Sequence, residues 1–431
     1  MSKSHTVAKG DTLNLISARY YGISGKWTLI RDSNPQLMTR KTASDGSPLI
    51  YPGDVLIIPE EQKPTASVNK SVPKNAAPIK LDSDAAEDIT IMIDGKVFTG
   101  FSGYTIKMPI DSFDAFSFTA PFDDSSDVIK DCFKPFTFKQ CTVYYNKKLL
   151  FNGILLTPNP ETSDSEKSIT LQGYPTCGVI NDVCLPDTKY PPEYNDLKLS
   201  EIAKDCCGPF GFNVVIDGDE GEAFKKVEYQ PGDKIFGFLK KLAEQRGLII
   251  TNKANGDLLF WTPKKNTVCC SIKEGELPFV KCKANFDSQN FFSHVTGYSK
   301  VEKEEDSGSY TYENSYLTKK GVLRPFSFTA DDATSTDLEN AVKSKAGRMF
   351  ASAISYTLTV LDHYTPKGDL WEKNMAISLV APGAMIKKPT VFLIDSVQFE
   401  RSDSNGNQTT LTLVLPGARD GSLPEEYPWE E

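Results

Sequence analysis

Apolar and polar positions follow different periods in different stretches of this chain. Over residues 5–59, Leu13, Ile16 and Tyr20 recur at helical spacing, which predicts a helix over 13–21 with Asp11 or Thr12 as its N-cap. A second helix is expected near 26–33, stopped by Asn34-Pro35. Short strands flank the pair: His5-Thr6-Val7 before it, and Val55–Ile58 after the turn Tyr51-Pro52-Gly53-Asp54. The expected order is βααβ. Residues 61–87, rich in Lys, Pro, Ala, Ser and Asp, show no period and read as a partly extended, flexible linker.

From Asp88 the period falls to two. Ile89–Ile93 and residues 96–100 flank Asp94-Gly95, a pair suited to the positive φ of a tight hairpin turn. Phe116 and Phe118 alternate with Ala115, Ser117 and Thr119, and 142–145 faces 149–157 across Asn146-Lys147-Lys148. With a further strand over 168–174, this predicts a small antiparallel β-barrel over 88–177. Helical spacing returns in 178–265. Leu199, Ile202, Ala203 and Cys206 share one face, closed by Gly208; Ile235, Phe238, Leu239 and Leu242 share another, stopped at Gly247. Strands over 212–216, 248–251 and 257–261 make this an α/β insertion, with Lys240-Lys241 on the solvated face of its second helix. Strands resume near Phe279. Thr336-Asp337-Leu338-Glu339 forms a capping box for a helix running to about Ala353, a strand follows over 356–362, and 391–400 pairs with 408–415 over Asn405-Gly406. Residues 266–416 are therefore expected to form a second barrel with one helix, followed by an acidic tail over 417–431. The fold class is mainly β with α+β parts.

The composition, 24% charged and 39% apolar, is that of a folded soluble protein, and 431 residues exceed what one ordinary core holds. Residues 1–60 carry +7 and −5 and residues 61–87 carry +4 and −4, so the net −9 leaves −11 on residues 88–431. No basic patch stands out, which argues against holding nucleic acid by neutralising its phosphates. No apolar stretch approaches the length of a membrane span, and the polar start Met1-Ser2-Lys3-Ser4-His5 has no secretory character. The nine cysteines include the vicinal pairs Cys206-Cys207 and Cys269-Cys270 but no C-x-x-C. They fit neither a zinc site nor a disulfide framework and read as small buried hydrophobes in a reducing compartment.

The residues 5–59, with VAKGDTLNLISARYYG, IRDSNPQL and IYPGDVLIIP at both ends of the unit, closely resemble the LysM family. That resemblance implies a glycan- or protein-docking groove between the turn Gly10, Asp11, Thr12, Leu13 and the segment Leu49, Ile50, Tyr51, with Asn34 beside it. LysM modules bind N-acetylglucosamine-containing glycans such as peptidoglycan and chitin, and also serve as scaffolding in contractile-tail proteins.

Residues 88–416 resemble the late-control-D-like baseplate hub proteins of contractile phage tails, to which the hub portion of type VI secretion spike proteins is related. LSEIAKDCCGPFGFNVVI, DKIFGFLKKLAEQRGLIITNKANGDLLFW and TVFLIDSVQFERSDSNGNQTTLTLVLP carry the resemblance as an ensemble. The strand order in 280–330, which includes the charged stretch 301–326, is left open by it. The resemblance implies a homotrimer whose two barrels per subunit form a pseudo-six-fold ring between tail tube and central spike, with other baseplate proteins as neighbours. It places the chain in the virion, at the tail baseplate, after assembly in the bacterial cytoplasm. An acidic body suits a lumen that DNA slides through without being read.

Catalysis needs separate weighing, because a LysM fused to a longer chain is also the layout of a wall hydrolase. His5, His294 and His363 lie in no tight metal spacing. Asp205-Cys206-Cys207-Gly208 looks like the D-C-S-G of wall peptidases, but Cys206 falls at the end of its helix. The dipole there raises a thiol pKa, whereas an activated thiol wants a helix N-terminus. Acidic pairs are too numerous among 57 carboxylates to single out a glycosidase pair. The leading expectation is a structural hub with no catalytic residues, no metal and no cofactor. The alternatives are a peptidoglycan-binding wall-targeting protein and a wall hydrolase. Brief proteolysis of the full chain is expected to cut between Glu61 and Asp88 and release a fragment of about 60 residues, because exposed polar linkers are nicked first. Protection across that stretch would mean it is packed.

Overall fold

The computed structural model describes residues 3–21, 27–42, 47–59, 78–82, 85, 88–185, 192–263, 266–299, 308–330, 335–402, 406–419 and 427–430. The chain divides into two compact units, residues 1–68 and 69–431. The first has the expected elements: strand Lys3–Thr6, helices Leu13–Tyr21 and Trp27–Asp32, and strand Val55–Ile58. Its strands pair antiparallel with Lys3 opposite Ile58 and Thr6 opposite Val55. Val7, Leu13, Ile16, Ile30, Leu37, Leu56 and Ile58 fill a core too small to tolerate much loss.

The second unit is mainly β, as expected, but its strands do not form two separate closed barrels. Among the described residues, fourteen strands share one hydrogen-bonded sheet. The long strand Ile386–Ser402 decides this. One edge pairs with Gly406–Val414, while the other pairs first with Ala376–Ala381 and then, from Ser396 to Arg401, with Gly103–Pro109. Because 103–109 belongs to the first half of the unit, the two halves are joined through backbone hydrogen bonds. Their cores merge as well, with Ile91, Phe98 and Phe118 in one apolar cluster with Tyr356, Phe392 and Leu411. Periodicity shows which side chains face inward, but not which strands become neighbours.

The hairpin turns follow their chemistry. Asp94 and Gly95 sit at φ 51° and 76°, and Asn146 and Lys147 at 43° and 71°, the left-handed pairs that a two-residue turn between twisted strands requires. The segment read as a linker is described only at 78–82 and 85, and there Ile79–Lys80 pairs with Phe98 and Thr99. Asn405 of the expected late turn, and the side chains of Thr336 and Asp337 in the expected capping box, lie outside the described residues. The helix itself spans Ser335–Ala353.

In the insertion, helices Leu199–Cys207 and Ile235–Gln245 share an apolar core with a three-stranded sheet. In that sheet Leu258–Trp261 pairs parallel with Val214–Asp217 and antiparallel with Ile249–Asn252. The strand order left open over 280–330 resolves into a small separate sheet, with His294–Ser299 between Ser309–Glu313 and Pro325–Ala330. Leu338, Val342 and Ala346 of the long helix cover it. The expected acidic tail is corrected too. Ala418 and Tyr427 are buried, and Tyr427 lies 4.2 Å from the Tyr316 ring and 5.0 Å from that of Trp429. Aromatic packing thus holds the described part of this segment against the fold.

Gly173 shows how tightly neighbouring strands pack. It sits where strand Lys167–Pro175 shifts register against Lys148–Thr162, and a Cβ there would lie 2.3 Å from the Ile154 carbonyl and 2.6 Å from the Phe116 ring. Gly173→Ala is expected to cost about 2 kcal/mol or more, as overpacking of a rigid site does. A thermal midpoint unchanged from wild type would show that the strand pair yields freely.

Candidate functional site

In the N-terminal unit the structure sorts the predicted groove residues into two groups. Thr12 is exposed and is the N-cap, its hydroxyl accepting from Leu15 N at 3.2 Å. Gly10 is exposed at φ +97°, with open space where a Cβ would be. Leu49 and Ile50 are half-buried; Leu49 is tied by its backbone to Lys41 and Arg40, and Ile50 packs on the same core as Leu13. Val7, ahead of the first segment, exchanges backbone hydrogen bonds with Gly53 and Asp54, just after the second.

Asn34 and Leu13, by contrast, face inward. The Asn34 amide donates to the carbonyls of Ile30 and Ile57 and accepts from Ile57 N, so it acts as an extra rung beside the last strand. Asp11 is also committed to the fold. Its carboxylate accepts from Ala8 N and pairs with the His5 ring, both at 2.9 Å, and these bonds hold its pKa below the ordinary value. Sequence reasoning missed the ion pair of Arg40 with Asp54, which fixes the turn before Val55. Tyr51, Val55 and Ile57 are exposed, the last two on the outer face of the strand pair.

In the second unit, polar groups gather where the insertion meets the sheet. Asp111 takes Lys240 at 3.0 Å and the amide of Ile250 at 3.1 Å. Lys240 was expected on a solvated face and is instead half-buried at this junction. Asp114 holds Asn252 through two bonds, 2.9 and 2.8 Å, and takes Lys373 at 2.8 Å; Lys373 also donates to Thr251. Arg348 reaches Glu244 at 3.2 Å, and Arg419 binds Asp395 at 2.7 Å. Burial lowers the Arg348 pKa, the neighbouring carboxylates opposing it. The cluster pins the insertion in a fixed orientation. Pairs this deep resist losing one partner more than they add net stability.

Residues 5–59 match the LysM domain model, and residues 180–262 match the model for the baseplate hub protein gp44-like, second domain. The chain is 23% identical over 345 residues to the baseplate hub protein gp44 of Escherichia phage Mu, covering 76% of this chain and 87% of that protein. A segment that matches the LysM domain thus precedes a body similar to baseplate hub proteins. Two solved structures are similar to this chain in fold at a TM-score of 0.64: the 43 kDa tail protein of prophage MuSo2 from Shewanella oneidensis, and a tail protein from Neisseria meningitidis MC58. They are 22% and 18% identical, span 77% and 78% of this chain, and are covered over 99% of their own lengths.

Cys206, weighed above as a nucleophile, lies in a core, and His294 is half-buried. Cys206 is buried in the insertion, 3.2 Å from the Tyr194 hydroxyl. His294 bonds to Ser293 Oγ at 2.9 Å. Among the described residues no three His, Cys, Asp or Glu side chains converge as metal ligands, and no helix is long and apolar enough to cross a membrane.

His363 is fully buried between the two halves, stacked on Phe399. Thr409 donates its hydroxyl proton to the Asp362 carbonyl at 2.7 Å, which makes His363 Nδ1 the donor in its 2.9 Å bond to Thr409 Oγ1. The other ring nitrogen, Nε2, and the Asp88 carboxylate both face the Tyr104 hydroxyl, at 3.0 and 2.6 Å. Desolvation lowers the His363 pKa to about 4, against the pull of Asp362 and Asp88. Between pH 6.5 and 4 the unfolded chain takes up a proton there that the folded chain refuses, so stability falls as pH falls through that window. The loss is expected to be on the order of 3 kcal/mol. Urea unfolding of His363→Gln should show a flatter pH profile there, whatever its stability at pH 7. Equal slopes in variant and wild type would mean that another group carries the acid sensitivity.

Proposed function

We propose that the chain is the structural subunit of a trimeric ring at the tail baseplate, joining the tail tube to the central spike. The observation that carries this reading is the similarity to the Mu baseplate hub protein over most of both chains. The single sheet supports it physically, because a ring under load needs its two halves fixed to each other, and here they share backbone hydrogen bonds and one core. In this reading the two halves of each subunit supply the six positions that match the tube, and the particle is assembled in the cytoplasm. DNA passes through an acidic lumen without being read. The chain acts as a scaffold and not as a catalyst.

The LysM docks neighbouring baseplate or tube proteins in this proposal. Exposed Tyr51, Val55 and Ile57 offer an apolar face for that contact. Peptidoglycan binding through Gly10, Thr12, Leu49 and Ile50 is the second reading, favoured by the exposure of Gly10 and Thr12 at the edge of the unit. A pull-down of the full chain with insoluble peptidoglycan, compared with Thr12→Ala, separates the two. Asn34→Ala would not, because it removes a buried rung of the fold.

The ring is tested by light scattering and electron microscopy of the purified chain, alone and after adding tube or spike protein. Trimers are expected, formed by the chain itself or on addition of a partner. A strict monomer that ignores both partners would overturn the proposal.

A further inference from the structure

We infer that Phe136 and Phe138 form a knob that seats in an apolar groove beside Trp429 of a second copy of the chain. The inference rests on the ring assembly proposed above and names the contact that would close it.

The two rings stand out from the loop between helix Asp127–Cys132 and strand Gln140–Tyr145, 86% and 59% exposed. The loop around them is held. Phe133 is buried with its ring 5.0 Å from that of Phe98, Thr137 Oγ1 donates to the Lys134 carbonyl at 2.8 Å, and Lys139 pairs with Asp94 at 2.9 Å. Phe136 and Phe138 both have left-handed backbone, φ 60° and 49°, a conformation that aromatic residues seldom adopt. The loop's own contacts thus hold an unfavourable backbone conformation that presents two apolar rings to solvent.

The groove lies on the other half of the hub, lined by Phe286, Phe291, Ala353, Ile354, Met385 and Trp429, with a volume of about 230 Å³. An apolar cavity of about 150 Å³ accepts a benzene ring, so this one has room for a phenyl group. Met385 is 57% and Phe286 43% exposed, which leaves apolar surface for the knob to cover. The charges are complementary at the rim. Lys134 is exposed beside the knob, while Asp287 lines the groove and Glu430 follows Trp429.

The occupant we assign is a second copy, because knob and groove lie toward opposite ends of one sheet path. The groove adjoins Phe279–Phe286, one end of the sheet path, and the knob adjoins Gln140–Tyr145, toward the other end. A head-to-tail contact that uses each once per subunit generates a ring when the rotation closes. Two phenylalanines bury roughly 300–500 Å² between them, short of the roughly 800 Å² per partner of a standard interface. The knob is therefore an anchor within a larger contact, as aromatic hot spots are.

Photocrosslinking tests the assignment. The full chain carrying Phe136→p-benzoylphenylalanine is irradiated alone and with tube or spike protein, using a mixture of light and heavy isotope-labelled copies. Mixed-mass crosslinks from position 136 to residues 285–291 or 427–430 are expected. Met385→Arg, at an exposed position, should lower their yield at least tenfold while its thermal midpoint stays at the wild-type value. Trimers that crosslink elsewhere on the chain, or to the tube or spike protein instead, overturn the knob and leave the ring standing. A chain that stays monomeric overturns both.

Discussion

The strand Ile386–Ser402 is the constraint on which the second unit depends. It pairs with three strands, and one of them, Gly103–Pro109, comes from the far side of the insertion in sequence. Without that pairing the unit would be two sheets with a flexible seam. With it, the register of the second half is fixed against the first, because a slip of one residue would turn every side chain of the strand to the wrong face. A register shift between Ile394 and Ser396 lets the same strand serve partners with different spacing.

Buried polar groups specify what the sheet leaves free. Apolar packing alone would hold the insertion against the sheet but would tolerate small rotations. The bonds from Asp111 and Asp114 to Lys240, Ile250 and Asn252 tolerate far less, since each has a direction and a length. His363 does the same between the two halves, at a cost in acid stability. The LysM solves a related problem with a much smaller core. Its termini and turns are held by His5 with Asp11, Arg40 with Asp54, and Asn34 with Ile57 rather than by buried area.

Much of this was legible in the chain itself. The helix Leu13–Tyr21 follows from Leu13, Ile16 and Tyr20, and the insertion helices from their apolar faces, closed by Gly208 or stopped at Gly247. The turn at Asp94-Gly95 needed only two residues to be read. These features rest on neighbours within a few positions, so the sequence shows them directly. Of the candidate docking residues, Gly10 and Thr12 stand on the surface, whereas Asn34 faces inward because Ile57, distant in sequence, supplies partners for its amide.

The sequence by itself therefore determined the LysM unit, the mainly β character of the rest and the position of the insertion between two strand-rich halves. Only the tertiary structure decided that the halves share one sheet, that Lys240 turns to Asp111, and that Tyr427 and Trp429 close over Tyr316 and Phe286. The physical reason is the same in each case. Periodicity records which face of an element is buried, but a hydrogen-bonding edge, a charge or an aromatic ring takes its partner from whatever the completed fold brings near, and that choice leaves no local trace.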